Sequence, residues 1–261
     1  MLRAYWWRGE RPNFGDELAP VLIERLLGAI AQRETKGPRL LTIGSIVTHS
    51  QPGDVIWGSG FHRDAGCWSA HDKTFLAVRG PITRQFVIDR GGHCPEIYGD
   101  PALLLPQIHP LKPSPTRELA LFPHLDDDDG WNFGHRRGIF TINASWPWDR
   151  IVAEICASSH VVSSSLHGLI VAEAYGVPTT WASFVTRNGK FEDYFLGVGR
   201  EPPVPLPWPK AIEQRPPTWQ QSPPADLLPS LLERAKSARL DSFGNYILDS
   251  SRCPMTFSYA W

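Results

Sequence analysis

Apolar positions open the chain as a short strand-like run at 2–7 and give way to a polar loop. They return in a helical pattern that ends near Gly28 and that Asp16 is suited to cap. Short apolar runs at 40–43, 54–57, 74–79 and 96–98 read as β-strands, and 81–90, with Pro81 at its first position, reads as a helix. Strands alternating with helices predict a mostly parallel sheet.

The same grammar restarts after a proline cluster at 106–115, with strands expected at 119–122, 139–143, 161–162 and 179–182. Helices are expected at 148–157 and 166–175, the second closed by Gly176 and Pro178. A second proline cluster at 202–224 precedes one amphipathic helix at 225–240, whose Leu227, Leu228, Leu231 and Leu232 fall at helical spacing. The expectation is an α/β protein with an N-terminal unit at 1–110, a second unit at 111–200, and a tail at 201–261. That tail reads as a proline-rich linker and a helix packed across both units.

Composition narrows the function classes. With 42% hydrophobic residues, 20% charged residues and a net charge of -1, the 261-residue chain reads as an ordinary globular protein. It is not built to coat nucleic acid or an anionic membrane. Residues 1–7 run straight into Arg8, Glu10 and Arg11 without a signal-peptide pattern, and no apolar run is long enough to span a bilayer. Cys67, Cys94, Cys156 and Cys253 are far apart and form no CxxC pair, so neither a zinc site nor a disulfide framework is expected and the cytoplasm is the default compartment. The acidic run Asp126 to Asp129 lacks the ligand alternation and distal glutamate of a calcium loop and reads as a solvated loop, so no metal is expected.

Ligands of open α/β sheets collect beyond the carboxyl ends of the strands. Four segments fall there: Asn13 to Glu17, Trp57-Gly58-Ser59-Gly60, Val78-Arg79-Gly80-Pro81 and Ser163-Ser164-Ser165-Leu166-His167-Gly168. In the last, a strand runs into a helix start, where free N–H groups and the positive dipole end suit a phosphate. Gly168 permits close backbone approach, and His167 is placed to move a proton near neutral pH. The alternatives stay open: the serines as helix caps, His167 bonded to a neighbouring loop, Arg79 paired with a carboxylate, Asp16 as an N-cap, Asp100 as a turn former. His124 sits after a strand beside Pro123, either at the site or packed in its loop, and Trp131, Trp146 and Trp148 offer faces suited to a pyranose.

Asn13-Phe14-Gly15-Asp16-Glu17, Trp57-Gly58-Ser59-Gly60, Val78-Arg79-Gly80-Pro81-Ile82-Thr83-Arg84, Gly99-Asp100-Pro101-Ala102 and Ser165-Leu166-His167-Gly168 followed by Glu173 to Pro178 occur in that order. The series resembles the motifs of the polysaccharide pyruvyltransferases, and Tyr5-Trp6-Trp7-Arg8-Gly9 resembles their bacterial exopolysaccharide branch, as in succinoglycan synthesis. The resemblance implies two Rossmann-like units facing across a cleft, as in B-type glycosyltransferases, with phosphoenolpyruvate as donor substrate and no cofactor. It implies a saccharide acceptor, free or lipid-linked, and at most peripheral membrane association. His167 is then the acid and Asp16 the base. Arg79, Ser164, Ser165, Gly168, Arg187 and Lys190 are the donor contacts, and Asn13, His124, Asp100 and Ser59 contact donor or acceptor. Many members carry arginine where this chain has Ser165, which leaves the charge to Arg79, Arg84, Arg187 or Lys190.

Three rivals share the pattern. A nucleotide-sugar glycosyltransferase suits the paired units and Glu173 to Pro178, and a non-catalytic glycan-binding relative suits the loss of arginine at Ser165. A dinucleotide oxidoreductase is disfavoured because Gly58-Ser59-Gly60 lacks the third glycine of that fingerprint.

Overall fold

Five short strands pair in parallel: Leu2–Tyr5 (β1), Ala31–Arg33 (β2), Leu40–Leu41 (β3), Val55–Trp57 (β4) and Thr74–Ala77 (β5), in the order β2-β1-β3-β4-β5. β3 and β4 are buried along their whole length, as strands covered on both faces must be, which is why their sequences are continuously apolar. A second parallel sheet, in the order β6-β7-β8, is formed by Ala120–Phe122 (β6), Val161–Ser163 (β7) and Thr179–Trp181 (β8). The computed structural model describes residues 1–61, 66–184, 189–218, 226–240 and 246–248.

The helices Phe14–Leu27 (α1) and Pro81–Ile88 (α2), a 3-10 turn at Pro101–Leu104 and the short Leu105–Ile108 (α3) connect and follow the strands of the first sheet. Asp128–Arg137 (α4), Trp148–Cys156 (α5), Leu166–Ala174 (α6), Lys190–Gly197 (α7) and Trp208–Gln214 (α8) accompany the second. The tail adds Leu227–Ser237 (α9) and an antiparallel pair, Ala238–Leu240 (β9) with Tyr246–Leu248 (β10).

Several expectations change. Residues 96–98 and 139–143 contribute only isolated bridges, Val78 to Tyr98 and Leu121 to Thr141, because their backbones leave the ladder after one contact. The proline clusters are not plain linkers: α3 runs into the first and α8 lies inside the second, with proline in the first turn of each, where its missing N–H costs nothing. The acidic run is a helix start, not a solvated loop. Asp127 is the N-cap of α4, buried, and accepts from the Gly130 N–H at 3.0 Å. Asp16 is not a cap either, since Asn13 holds the N-cap position of α1 and Asp16 lies in the first turn. α9 contacts β5 and the 3-10 turn, and the Trp57 indole N–H donates to the Leu231 carbonyl at 2.8 Å, so the tail helix lies on the first sheet.

One apolar core runs through both sheets. It joins Leu2, Phe14, Leu18 and Trp57 to Phe122, Val161, Leu169 and Ile170, and takes in Leu227 and Leu231 of α9. α1, α3, α5, α6 and the 3-10 turn meet between the sheets, with Phe14 and Phe122 ring to ring at 5.7 Å and the Phe14 N–H donating to the Ala144 carbonyl at 2.8 Å. This junction sets the amino end of α1 against the amino end of α6.

Candidate active site

Gly15 makes that approach feasible. A Cβ at this position would stand 1.9 Å from Nδ1 of His167, so only a glycine lets the first turn of α1 lie on the imidazole. The residue before Gly15 fills the core, and the residue after it, Asp16, faces a pocket of about 360 Å³. The same pocket is lined by Asn13, Ser45, His124, Ser165, His167 and Lys190.

Asp16 is buried, and its carboxylate accepts from the Asn13 side-chain N–H at 2.9 Å. Burial raises its pKa to about 6, opposed by the nearby His167, the Asn13 hydrogen bond and Lys190. Lys190 opens α7 after Gly189, which adopts a left-handed conformation with φ 74°. Burial lowers its amine to about 8 with Arg79 adding to the fall, while Asp16 and Asp126 pull the other way. His124 stacks on Phe184 at 5.3 Å, and burial, reinforced by Lys190 and His167, lowers its pKa to about 4, so it is neutral at pH 7. An acid, an amine and two imidazoles thus share one partly dry cavity, the environment in which ionisable groups trade protons near neutral pH.

The remaining expected residues stand behind this wall. Arg79 is buried, with Nε 3.1 Å from Asp193 Oδ2 and Nη1 donating to Ser45 Oγ at 3.0 Å, so it reaches the pocket only through Ser45. Asp193 also accepts from the Thr83 N–H and hydroxyl, which ties α7 to the start of α2. Ser164 donates to Asp127 at 2.5 Å and accepts from the His124 N–H at 2.9 Å, so it holds the His124 loop in place of touching the cavity. Gly168 gives close approach, but to the fold: a Cβ there would lie 2.4 Å from Ser163 Oγ and 2.9 Å from Phe122. Ser59 is buried, and its hydroxyl donates to the Gly44 carbonyl at 2.9 Å, shaping the 44–46 loop. Asp100 is buried; one oxygen accepts from the Ala102 N–H at 3.0 Å, and the other stands 3.5 Å from His167 Nε2. Arg84 is engaged by Glu96 and the Cys94 carbonyl, and Arg187 lies outside the described residues.

Sequence reasoning missed Trp7, Ser45, Thr48, His49 and Asp126, all of which line the pocket. The signal for three of them was present, since 44–50 follows β3 and obeys the same strand-end rule as the four chosen loops. Trp131, Trp146 and Trp148 do not line the cavity, whereas Trp7 does, with 47% of its surface exposed. Among the described residues no group of three His, Cys, Asp or Glu side chains is arranged to hold a metal ion, and no helix is long and apolar enough to cross a membrane.

Two parallel α/β sheets thus frame one pocket that carries a carboxylate, imidazoles and an amine. The chain belongs to the polysaccharide pyruvyl transferase family, whose pattern matches residues 45–183. It is 28% identical over 202 residues to the succinoglycan biosynthesis protein ExoV of Rhizobium meliloti (strain 1021), across 70% of this chain and 60% of that protein. It is 26% identical over 218 residues to the uncharacterized protein L143 of Acanthamoeba polyphaga mimivirus, across 72% of each. A crystal structure of a functionally uncharacterized protein from Klebsiella pneumoniae subsp. pneumoniae NTUH-K2044 shares the fold, with a TM-score of 0.51 at 14% identity over 74% of this chain and 86% of that one. The family match contains His167, Asp100 and His124; Trp7, Asp16 and Lys190 lie outside it.

Proposed function

We propose that this protein transfers the enolpyruvyl group of phosphoenolpyruvate to a sugar of an exopolysaccharide or its repeat-unit precursor, forming a cyclic pyruvate ketal and releasing phosphate. One observation carries the reading: His167, Asp16 and Lys190 come from three separate helix starts and converge on a single pocket. They supply a proton donor, a proton acceptor and a cation.

The donor's phosphate sits at the amino end of α6, where Leu166 and Ser165 line the pocket, with Lys190 as counter-charge. His167 gives a proton to the methylene carbon, which becomes a methyl group and leaves C2 electrophilic. A sugar hydroxyl adds to C2 while Asp16, buried and with its pKa raised to about 6, takes the hydroxyl proton. Phosphate then departs with its C–O bond electrons, and a second hydroxyl of the same sugar closes the ring as it loses its proton. One proton enters at carbon, two leave the hydroxyls and one departs on phosphate, so the atoms balance with donor and acceptor alone. Trp7, half-exposed at the pocket edge, offers an aromatic face to the acceptor ring.

The acceptor in this reading is a saccharide, free or lipid-linked, and the reaction runs in the cytoplasm. The test is incubation of the full chain with phosphoenolpyruvate and candidate repeat-unit glycans. Phosphate release that requires glycan, with a glycan product heavier by one ketal in the mass spectrum, is expected. Release of nucleoside diphosphate from a nucleotide sugar, with no turnover of phosphoenolpyruvate, would overturn the proposal in favour of a glycosyltransferase.

A further inference from the structure

Two buried polar atoms face each other without any hydrogen-bond partner: Oδ2 of Asp100 and Nε2 of His167, 3.5 Å apart. Buried orphans of this kind are uncommon in folded proteins and carry the full cost of leaving water. Here the two are chemically complementary, an acceptor and a donor. A shift of about half an ångström brings them to ordinary hydrogen-bond length.

Asp100 is well fixed for such a role. It is fully buried, and Oδ1 is committed to the Ala102 N–H as the cap of the 3-10 turn, so the carboxylate cannot turn away without uncapping that turn. The turn is packed against α6, the helix that carries His167. Asp100 does not line the pocket, whereas His167 does.

We propose that Asp100 is the positioning residue of the site: it takes the Nε2–H of His167, fixes the ring and its tautomer, and leaves Nδ1 as the nitrogen that carries the transferable proton. This rests on the acid role of His167 in the proposed reaction. The pairing also holds the ring from its buried side, so that its orientation towards the pocket is set before the donor is attacked. The other ionisable groups coupled to the ring are Asp16 and His124, with Lys190 across the pocket. Of this set Asp100 alone is held on the Nε2 side by a second, structural bond.

The test combines nitrogen-15 NMR of the His167 ring with kinetics, using Asp100→Asn, which keeps the cap oxygen but not the charge, and Asp100→Ser, which caps Ala102 without a carboxylate. The ring signal is assigned by its loss in His167→Gln, and near-UV circular dichroism checks folding. In the parent protein the neutral ring is expected as the Nε2–H tautomer. In the folded variants the Nδ1–H form grows in. Ketal formation is expected to lose on the order of 100-fold in kcat with KM changed less than about threefold. An unchanged tautomer in a folded variant would overturn the proposal. If the ring responds as expected while the parent protein makes no ketal, the pairing stands and the activity reading fails.

Discussion

Asp16 shows what a buried carboxylate does to both activity and stability. Its pKa is raised from 3.8 to about 6, so as a base it is disabled below that pH, and the acidic limb of kcat/KM is expected near pH 6. The sign for stability is the reverse. A carboxyl whose folded pKa lies above its unfolded one favours the folded state most at low pH, and that contribution is lost as pH rises through about 6. Asp16→Asn is therefore expected to lose turnover by about 100-fold or more. It should gain stability on the order of 1–3 kcal/mol at pH 7, a gain that vanishes below pH 4. Urea unfolding at the two pH values measures this, and equal stability at neutral pH would refute the assignment of a charged, strained Asp16. Lys190 has the opposite dependence. Its amine is lowered to about 8, so the positive charge offered to the donor is lost as pH rises through that value. KM for phosphoenolpyruvate is expected to climb above pH 8 in the parent protein, to stay flat there in Lys190→Arg, and to be high at every pH in Lys190→Met.

At the scale of elements, the contact between α1 and α6 leaves no room for a side chain at Gly15. Gly15→Ala would drive a methyl group to 1.9 Å from the His167 ring, and the imidazole is the group that must yield. Overpacking of this kind costs about 1–3 kcal/mol. The expected phenotype is a folded protein, with a melting temperature lowered by a few degrees, that has lost most of its kcat. Retention of kcat would mean that the ring is not held where the chemistry needs it. How far such elements can be read from sequence depends on their length and pattern. β1, β3, β4, β5, α1, α5 and α6 were legible because burial on one or both faces leaves an apolar stripe or run. β2 was not, since Ala31–Arg33 is a polar, partly exposed edge strand of three residues. α4 was not, because its first turn carries two aspartates and its body two glycines, and tertiary packing against β6 rather than propensity holds it. α7 begins next to residues outside the described set, and its first turn, Lys190 to Asp193, is polar at three of four positions.

For the whole molecule, strand-helix alternation correctly suggested an α/β protein with parallel sheets, and His167 and Asp16 were legible as strand-end residues before their neighbours were known. What alternation cannot disclose is a contact between residues far apart along the chain, such as Gly15 on His167 or Arg79 on Asp193. One apolar core spans both sheets, and unfolding is accordingly expected as one transition, with calorimetric and van't Hoff enthalpies in agreement. Two resolved transitions by tryptophan fluorescence and circular dichroism would show that the sheets melt apart. The shared core also bears on protein engineering. A chimera that joined residues 1–110 of this chain to the second half of a relative would cut through the junction of Phe14 with Phe122, stranding apolar surface on both pieces. Exchange of specificity among relatives is better sought by regrafting a segment such as Trp7 to Pro12, which starts at the cavity edge with Trp7, lines a neighbouring pocket and leaves the paired helix ends intact.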